Sequence, residues 1–246
     1  MRDTRFSVII PARDEAENIV PTLLALQALR RRGGEVILVD GQSRDGTGER
    51  AEPLVDRVLV TAPGRARQMN AGARVAAGKV LWFLHADTRA PENADDVILA
   101  TLTGKRAWGR FDVRLSGRHR LLALVAGMMN LRSRLTGIAT GDQGIFVRGS
   151  VFEAVGGFPE LPLMEDVEMS RRLKALAGRP ACLATPLVTS GRRWEEMGIL
   201  RTILLMWWLR LAFFLGVDPA RLARWYTARL PARLPRGNGA DLPGRG

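Results

Sequence analysis

The sequence predicts an α/β domain built on a mostly parallel central sheet, with helices on both faces and an apolar C-terminal helical extension. Short apolar runs at 6–10, 35–39 and 80–84 read as strands buried on both faces. Segments of helical spacing separate them, as βαβ units require. Each run gives way to polar residues at its C-terminal end, where open α/β sheets bind ligands.

In chain order, Phe6–Ile10 is the first strand. Residues 15–29 form a helix with Ile19, Leu23, Leu26 and Leu29 on one face, broken at Gly33-Gly34. Glu35–Val39 is the second strand, followed by a polar, glycine-containing loop at 41–47. Val55–Val60 is a third strand, and 65–77 a small-residue helix capped by Gly78. Val80–Leu84 is the fourth strand. Beyond it the pattern gives a strand at 108–115, an amphipathic helix at 120–135 and a short strand at 144–147. A helical turn follows at 151–155, and then a helix over 165–177 closed by Gly178 and Pro180.

The 246 residues suffice for one large domain or two small ones, and 46% hydrophobic content allows a full core. A net charge of +12 suggests an anionic partner, whether nucleic acid, a phosphorylated substrate or an anionic lipid surface; a general preference for arginine over lysine is the plain alternative. Among these, no nucleic-acid partner is expected. The single cysteine, Cys182, excludes a disulfide framework and a cysteine metal cluster. Without a signal-peptide pattern, the expected location is cytoplasmic.

Carboxylates follow three of the predicted strands: Asp14 and Glu15, then Asp40, then Asp87. Gathered on one sheet edge they would repel each other without a cation or hydrogen-bond donors. Asp40 could accept hydrogen bonds from a base or ribose. Asp87 could ligate Mg or Mn, which take one or two carboxylates plus substrate phosphate. The alternative for each is helix capping. Neither a Gly-x-Gly-x-x-Gly after the first strand nor a P-loop is present, so phosphate must be held by metal and arginine. Arg67 and Arg74, seven apart, share a helix face, with Arg67 near the strand ends. Glu165 and Asp166 open a helix, where the dipole favours the charged form that a general base needs.

Several segments in order resemble family 2 glycosyltransferases of the GT-A fold. They are Ser7-Val-Ile-Ile-Pro-Ala-Arg-Asp-Glu-Ala-Glu-Asn-Ile, Val39-Asp-Gly-Gln-Ser-Arg-Asp-Gly-Thr47, Arg67-Gln-Met-Asn-Ala-Gly72, Phe83-Leu-His-Ala-Asp-Thr88, and Gly156-Gly-Phe-Pro-Glu160 with Glu165-Asp166. The resemblance covers roughly 7–176 and implies transfer of a sugar from a nucleotide diphosphate donor to an acceptor hydroxyl, with inversion. It implies that Pro11, Arg13, Glu15 and Asp40 line the nucleoside pocket, that Asp87 binds metal and diphosphate, and that Asp166 is the base. Arg67, Asn70 and His85 join the donor site on the same grounds. His85 stands where the family usually has its first Asp, and Thr88 where another Asp is common; both lower the carboxylate count at the metal.

Gly64-Arg-Ala-Arg-Gln-Met-Asn70, Thr140-Gly-Asp-Gln-Gly-Ile-Phe146 and Thr189-Ser-Gly-Arg-Arg-Trp194 are similar to a short bacterial branch labelled arsenosugar-biosynthesis-type. That likeness puts Asp142 near sugar or acceptor. Arg192-Arg193-Trp194 resembles the Gln-x-x-Arg-Trp motif of processive members without its Gln. Arg193 would reach the diphosphate, and Trp194 would stack on the acceptor.

The apolar run at 199–217 contains Arg201 and Arg210, and a central charge argues against a membrane span. Burial on the domain and peripheral attachment to the inner face of the cell membrane both stand, the second favoured by Arg221, Arg224 and Arg229 and fitting a lipid-like acceptor. The expected organisation is a transferase domain at 1–196, apolar and basic helices at 197–230 and a disordered tail at 231–246. The competing functions are a nucleotidyltransferase, which usually has a glycine-rich loop after its first strand, and a degenerate non-catalytic membrane- or anion-binding protein.

Overall fold

The structure, a computed structural model, describes residues 6–229; the tail expected at 231–246 lies outside them. Eight strands, β1 (Phe6–Ala12), β2 (Glu35–Asp40), β3 (Arg57–Val60), β4 (Val80–Phe83), β5 (Thr88–Arg89), β6 (Trp108–Ser116), β7 (Phe146–Arg148) and β8 (Ala181–Ser190), form one sheet in the order β3-β2-β1-β4-β7-β6-β8-β5. The helices are α1 (Ile19–Ala25), α2 (Gln27–Arg31), α3 (Thr47–Ala51), α4 (Arg65–Val75), α5 (Ala94–Leu102), α6 (Leu121–Thr136), α7 (Gly149–Ala154), α8 (Glu165–Ala177), α9 (Arg192–Met197), α10 (Ile199–Phe214) and α11 (Pro219–Thr227).

The sheet is mixed. β3, β2, β1 and β4 are parallel neighbours, and β6 is parallel to β8. β7 runs antiparallel to both β4 and β6, and β5 antiparallel to β8. The parallel expectation therefore holds for the first half, while the second half interleaves directions. β8 had no counterpart in the sequence pattern because Pro186 interrupts it. The ladder slips between Phe111 and Asp112, opposite that proline, which is where a strand tolerates one. The long helix expected at 15–29 is two short ones meeting at Leu26.

Alternation along each central strand divides the core between the two faces. Val8, Ile10 and Ala12 of β1, with Val80 and Trp82 of β4, face the cluster holding Ile19, Leu23 and Ile98. Ile9, Leu81 and Phe83 face the one holding Met69, Phe152, Phe158 and Leu173. Helix α4 lies close on the sheet at Gly72, where a Cβ would meet Ile9 Cγ2 at 2.5 Å.

This topology fixes where a ligand can bind. From β1 the chain moves one way to β2 and β3, then crosses back to β4 on the other side of β1. The crevice beyond the carboxyl ends of β1 and β4 is the switch point of the sheet. Because β7 is antiparallel to β4, the residues before β7 land beside those after β4, with Phe83 N donating to Ile145 O at 2.9 Å. β5 closes onto β8 through Thr88 Oγ1 and Thr189 Oγ1, 2.9 Å apart, and brings 189–193 to the same edge.

Among the described residues no helix is long and apolar enough to cross a membrane. Helix α10 buries Leu205, Leu209 and Ala212 against Leu222 of α11, against Val167 of α8 and against Met164 just before it. Asp218 caps α11 by accepting from Ala220 N at 3.0 Å, with Pro219 pre-set at its first turn.

Candidate functional site

Two cavities meet at the switch point. The first, about 90 Å³ and polar, is lined by Pro11 at the end of β1 with Arg13 and Glu15 after it, His85 and Asp87 after β4, and Thr189 at the end of β8 with Arg192, Arg193 and Trp194 after it. The second, about 650 Å³, lies under α10 and α11 and takes in Arg67, Glu160, Glu165, Asp166 and Arg210. Arg65, His85, Asp142 and Arg193 line both.

Two loops hold the first cavity in shape. The backbone after β1 is bound to the loop after β2: Asp14 N donates to Ser43 Oγ, Glu15 N to Thr47 Oγ1 and Ala16 N to Asp45 Oδ2, each at 2.9 Å. Gln68 Nε2 donates to Ala12 O and Val39 O, each at 2.8 Å, and ties the ends of β1 and β2 together from α4. Burial, and then the charge of Asp87, hold the Glu15 carboxyl above its ordinary range, against the hydrogen bond from Asn18.

His85 Nδ1 lies 3.1 Å from Asp142 Oδ1, so the histidine in the expected aspartate position works with a carboxylate from the helical turn before β7. The hydrogen bond and charge of His85, with the charges of Arg193 and Arg65, outweigh burial and hold Asp142 far below the usual carboxylate range. Residue 141 must be glycine here, because a Cβ would overlap the His85 ring.

Asp166 sits in the first turn of α8. Its Oδ2 accepts from Gly141 N at 2.8 Å and its Oδ1 from Val167 N at 2.7 Å. Each carboxylate oxygen keeps the capacity to accept a second hydrogen bond, and the residue lines the second cavity. Glu165, buried and 3.7 Å from Arg65, is pushed up to about 7 by burial and by the neighbouring Asp166 charge. An unfolded glutamate ionises near its ordinary 4.5, so the folded state holds the extra proton between those values and loses stability as pH rises through them. Glu165→Gln removes that loss. Between about pH 5 and about pH 8 the variant should gain on the order of 2 kcal/mol relative to wild type in urea unfolding; parallel stability curves would contradict the shift.

Three of the expected donor-site residues lie outside the lining of the first cavity. Asn70 is a brace: its Nδ2 donates to Phe158 O at 2.8 Å and its Oδ1 accepts from Phe158 N at 2.9 Å, so both ends of the amide are taken. Asp40 lies outside both cavity linings; its Oδ1 accepts from Ser43 N and Oγ and its Oδ2 faces Gly48, so it holds the loop after β2. Arg67 points to the second cavity, exposed and 3.3 Å from Glu160, and Arg65 takes the place at the junction. Sequence reading missed Arg192 and Arg210 as wall residues; the strand pairing of β8 and the packing of α10 bring them in.

Among the described residues no three of His, Cys, Asp and Glu gather into a metal cage. The acidic residues of the first cavity are Glu15, Asp87 and Asp142, of which Asp142 is engaged by His85, leaving Asp87 and Glu15 for a cation. This set fits a cation that takes one or two carboxylates and completes its shell with phosphate and water.

A sheet with this order, and a ligand crevice between β1 and β4, is the architecture of the GT-A glycosyltransferases. Residues 7–122, from β1 into α6, match the model of glycosyl transferase family 2. Three solved structures share the fold. Staphylococcus aureus TarS 1–349 aligns at TM-score 0.61 and 18% identity, covering 82% of this chain and 66% of its own. The mannosyltransferase PcManGT from Pyrobaculum calidifontis, in complex with GDP-Man and Mn²⁺, aligns at 0.62 and 20%, covering 96% and 67%. Mannosyl-3-phosphoglycerate synthase from Rubrobacter xylanophilus aligns at 0.58 and 17%, covering 93% and 77%. At these identities the likeness is one of fold. No curated protein matches the sequence.

Proposed function

We propose that the chain transfers a sugar, with inversion, from a nucleotide diphosphate donor to an acceptor hydroxyl, assisted by Mg or Mn. The observation that carries this reading is the meeting of two cavities at Arg65, His85, Asp142 and Arg193, with Asp87 in the smaller and Asp166 in the larger. The smaller cavity takes the diphosphate between Arg13, Arg192 and Arg193. Asp87, with Glu15 behind it, would hold the cation, whose chemistry is to neutralise the departing diphosphate. The acceptor enters the larger cavity, and Asp166 takes the proton of its hydroxyl. The TarS structure in complex with UDP and the PcManGT complex with GDP-Man and Mn²⁺ support a donor and cation of these classes. The test is a panel of UDP-, GDP- and dTDP-sugars with Mn²⁺, read by release of nucleoside diphosphate. Turnover of one nucleotide class is expected, and no release from any donor would overturn the reading.

The outer faces of α6 and α10 suit an anionic bilayer. Leu121, Leu124, Leu131, Leu200, Leu204, Trp207, Leu211 and Phe214 are exposed there. Exposed Arg118, Arg120, Arg201, Arg221 and Arg224 lie at the ends of these helices and on α11. Flotation with phosphatidylglycerol vesicles but not with phosphatidylcholine is expected; staying down with both would remove the membrane from the account.

A further inference from the structure

Four arginines and four carboxylates line the larger cavity, and Arg132 behind its wall adds a fifth guanidinium. Arg65 faces Glu165 at 3.7 Å, Arg67 faces Glu160 at 3.3 Å, and Asp142 is taken by His85 at 3.1 Å. Arg193 stands at the junction and belongs to the donor side. Arg210 remains on the cavity wall, and among the described residues no carboxylate forms an ion pair with it. Behind it, α6 packs against α10 and contributes Arg132, whose Nε and Nη2 are enclosed without a hydrogen-bond partner. Burial first, and then the Arg210 charge, bring the Arg132 guanidinium down to about 10, while Asp166 and Asp142 act in the opposite direction. Arg110, the other cation near it, is already paired with Asp112. Burial likewise lowers Arg210, with Asp166 and Asp142 opposing.

Enclosed guanidinium groups are ordinarily paired, because desolvating an unpaired charge is costly. Asp166 is the one carboxylate left over, and it already accepts two backbone N–H bonds. Arg210 and Arg132 together are thus two guanidinium groups facing one carboxylate, and a second anion would complete the pairing.

We propose that Arg210, backed by Arg132, forms an anion subsite that grips a phosphate-class oxyanion on the acceptor. The planar guanidinium fork matches such a group in two-point geometry. Leu161, Leu163, Met206, Leu209 and Ala223 line the same cavity and would receive an apolar body attached to the phosphate. The subsite deepens the glycosyl-transfer reading and rests on it for the identity of the acceptor.

The experiment is calorimetric titration of the full chain, without nucleotide, with octyl phosphate, inorganic phosphate and octanol. Octyl phosphate should bind at least about tenfold more tightly than octanol, and Arg210→Gln should weaken it about tenfold or more, with Arg210→Lys intermediate. Arg192→Gln, on the donor side, should leave octyl phosphate binding unchanged. Where Arg132→Gln folds, by its circular dichroism melt, it should weaken octyl phosphate in the same direction. Octyl phosphate binding more tightly than inorganic phosphate makes the source an ester of an apolar molecule; equal affinities make it free phosphate, and both uphold the anion subsite. Failure of octyl phosphate to bind, full affinity in Arg210→Gln, or loss in Arg192→Gln instead would overturn it. A chain that binds octyl phosphate but no nucleotide would keep the subsite and discard the glycosyl-transfer reading.

Discussion

Replacing Asp166 with asparagine is expected to lower nucleoside-diphosphate release by roughly 10²–10⁴-fold, the range removed with a general base, while nucleotide affinity stays near wild type. The site explains the separation. Asp166 lines the larger cavity and is absent from the smaller one, so the donor pocket keeps all its walls. Asparagine preserves the shape but has no anionic oxygen to receive a proton. Its amide nitrogen also replaces one of the two oxygens that accept from Gly141 N and Val167 N. One lost backbone hydrogen bond costs about 1 kcal/mol of stability, which unfolding would detect and which is too small to abolish the fold. Turnover equal to wild type in the folded variant would remove Asp166 from the base role.

Asp87→Asn is expected to weaken Mn²⁺-dependent nucleotide binding by on the order of 10²-fold, because a neutral amide is a poor ligand for a hard cation. The backbone there is pinned independently: Thr88, the next residue, pairs with Thr189 across the β5–β8 ladder. The variant therefore loses a charge without losing the loop. Glu15 supplies a second reading of the same change. The Asp87 charge raises its pKa, after burial, so in Asp87→Asn the Glu15 carboxyl should titrate lower, by carbon-13 NMR, while burial keeps it above an ordinary glutamate. Binding that stays metal-dependent in Asp87→Asn would place the cation elsewhere.

The central sheet was legible because β1, β2 and β4 are buried on both faces, and such strands appear as unbroken apolar runs. Helix α8 matched its expected bounds because its caps and period agree. β8 was invisible for the opposite reason: it is largely half-exposed, carries Pro186 and bends at a bulge. The same divide runs through the site. Arg13, Glu15, His85 and Asp87 could be read directly because they follow β1 and β4 in sequence. Arg192 and Arg210 reach the site only through closure of β8 and α10, which no local spacing encodes. Helical period put Arg67 and Arg74 on one face but did not say which residue of α4 reaches the crevice, and it is Arg65 that lies at the junction. Asn70 was chosen by its motif, whereas its partner Phe158 lies 88 residues away and leaves no local trace.

The measurement closest to the central claim is calorimetric titration of the wild-type chain with a nucleoside, its monophosphate and its diphosphate, with and without Mn²⁺. If the smaller cavity holds a diphosphate between its arginines and an Asp87-bound cation, affinity should rise at least about tenfold from nucleoside to diphosphate, and the gain should shrink when Mn²⁺ is omitted. A nucleoside that binds as tightly as its diphosphate, or a chain that binds none of the three, would contradict the account.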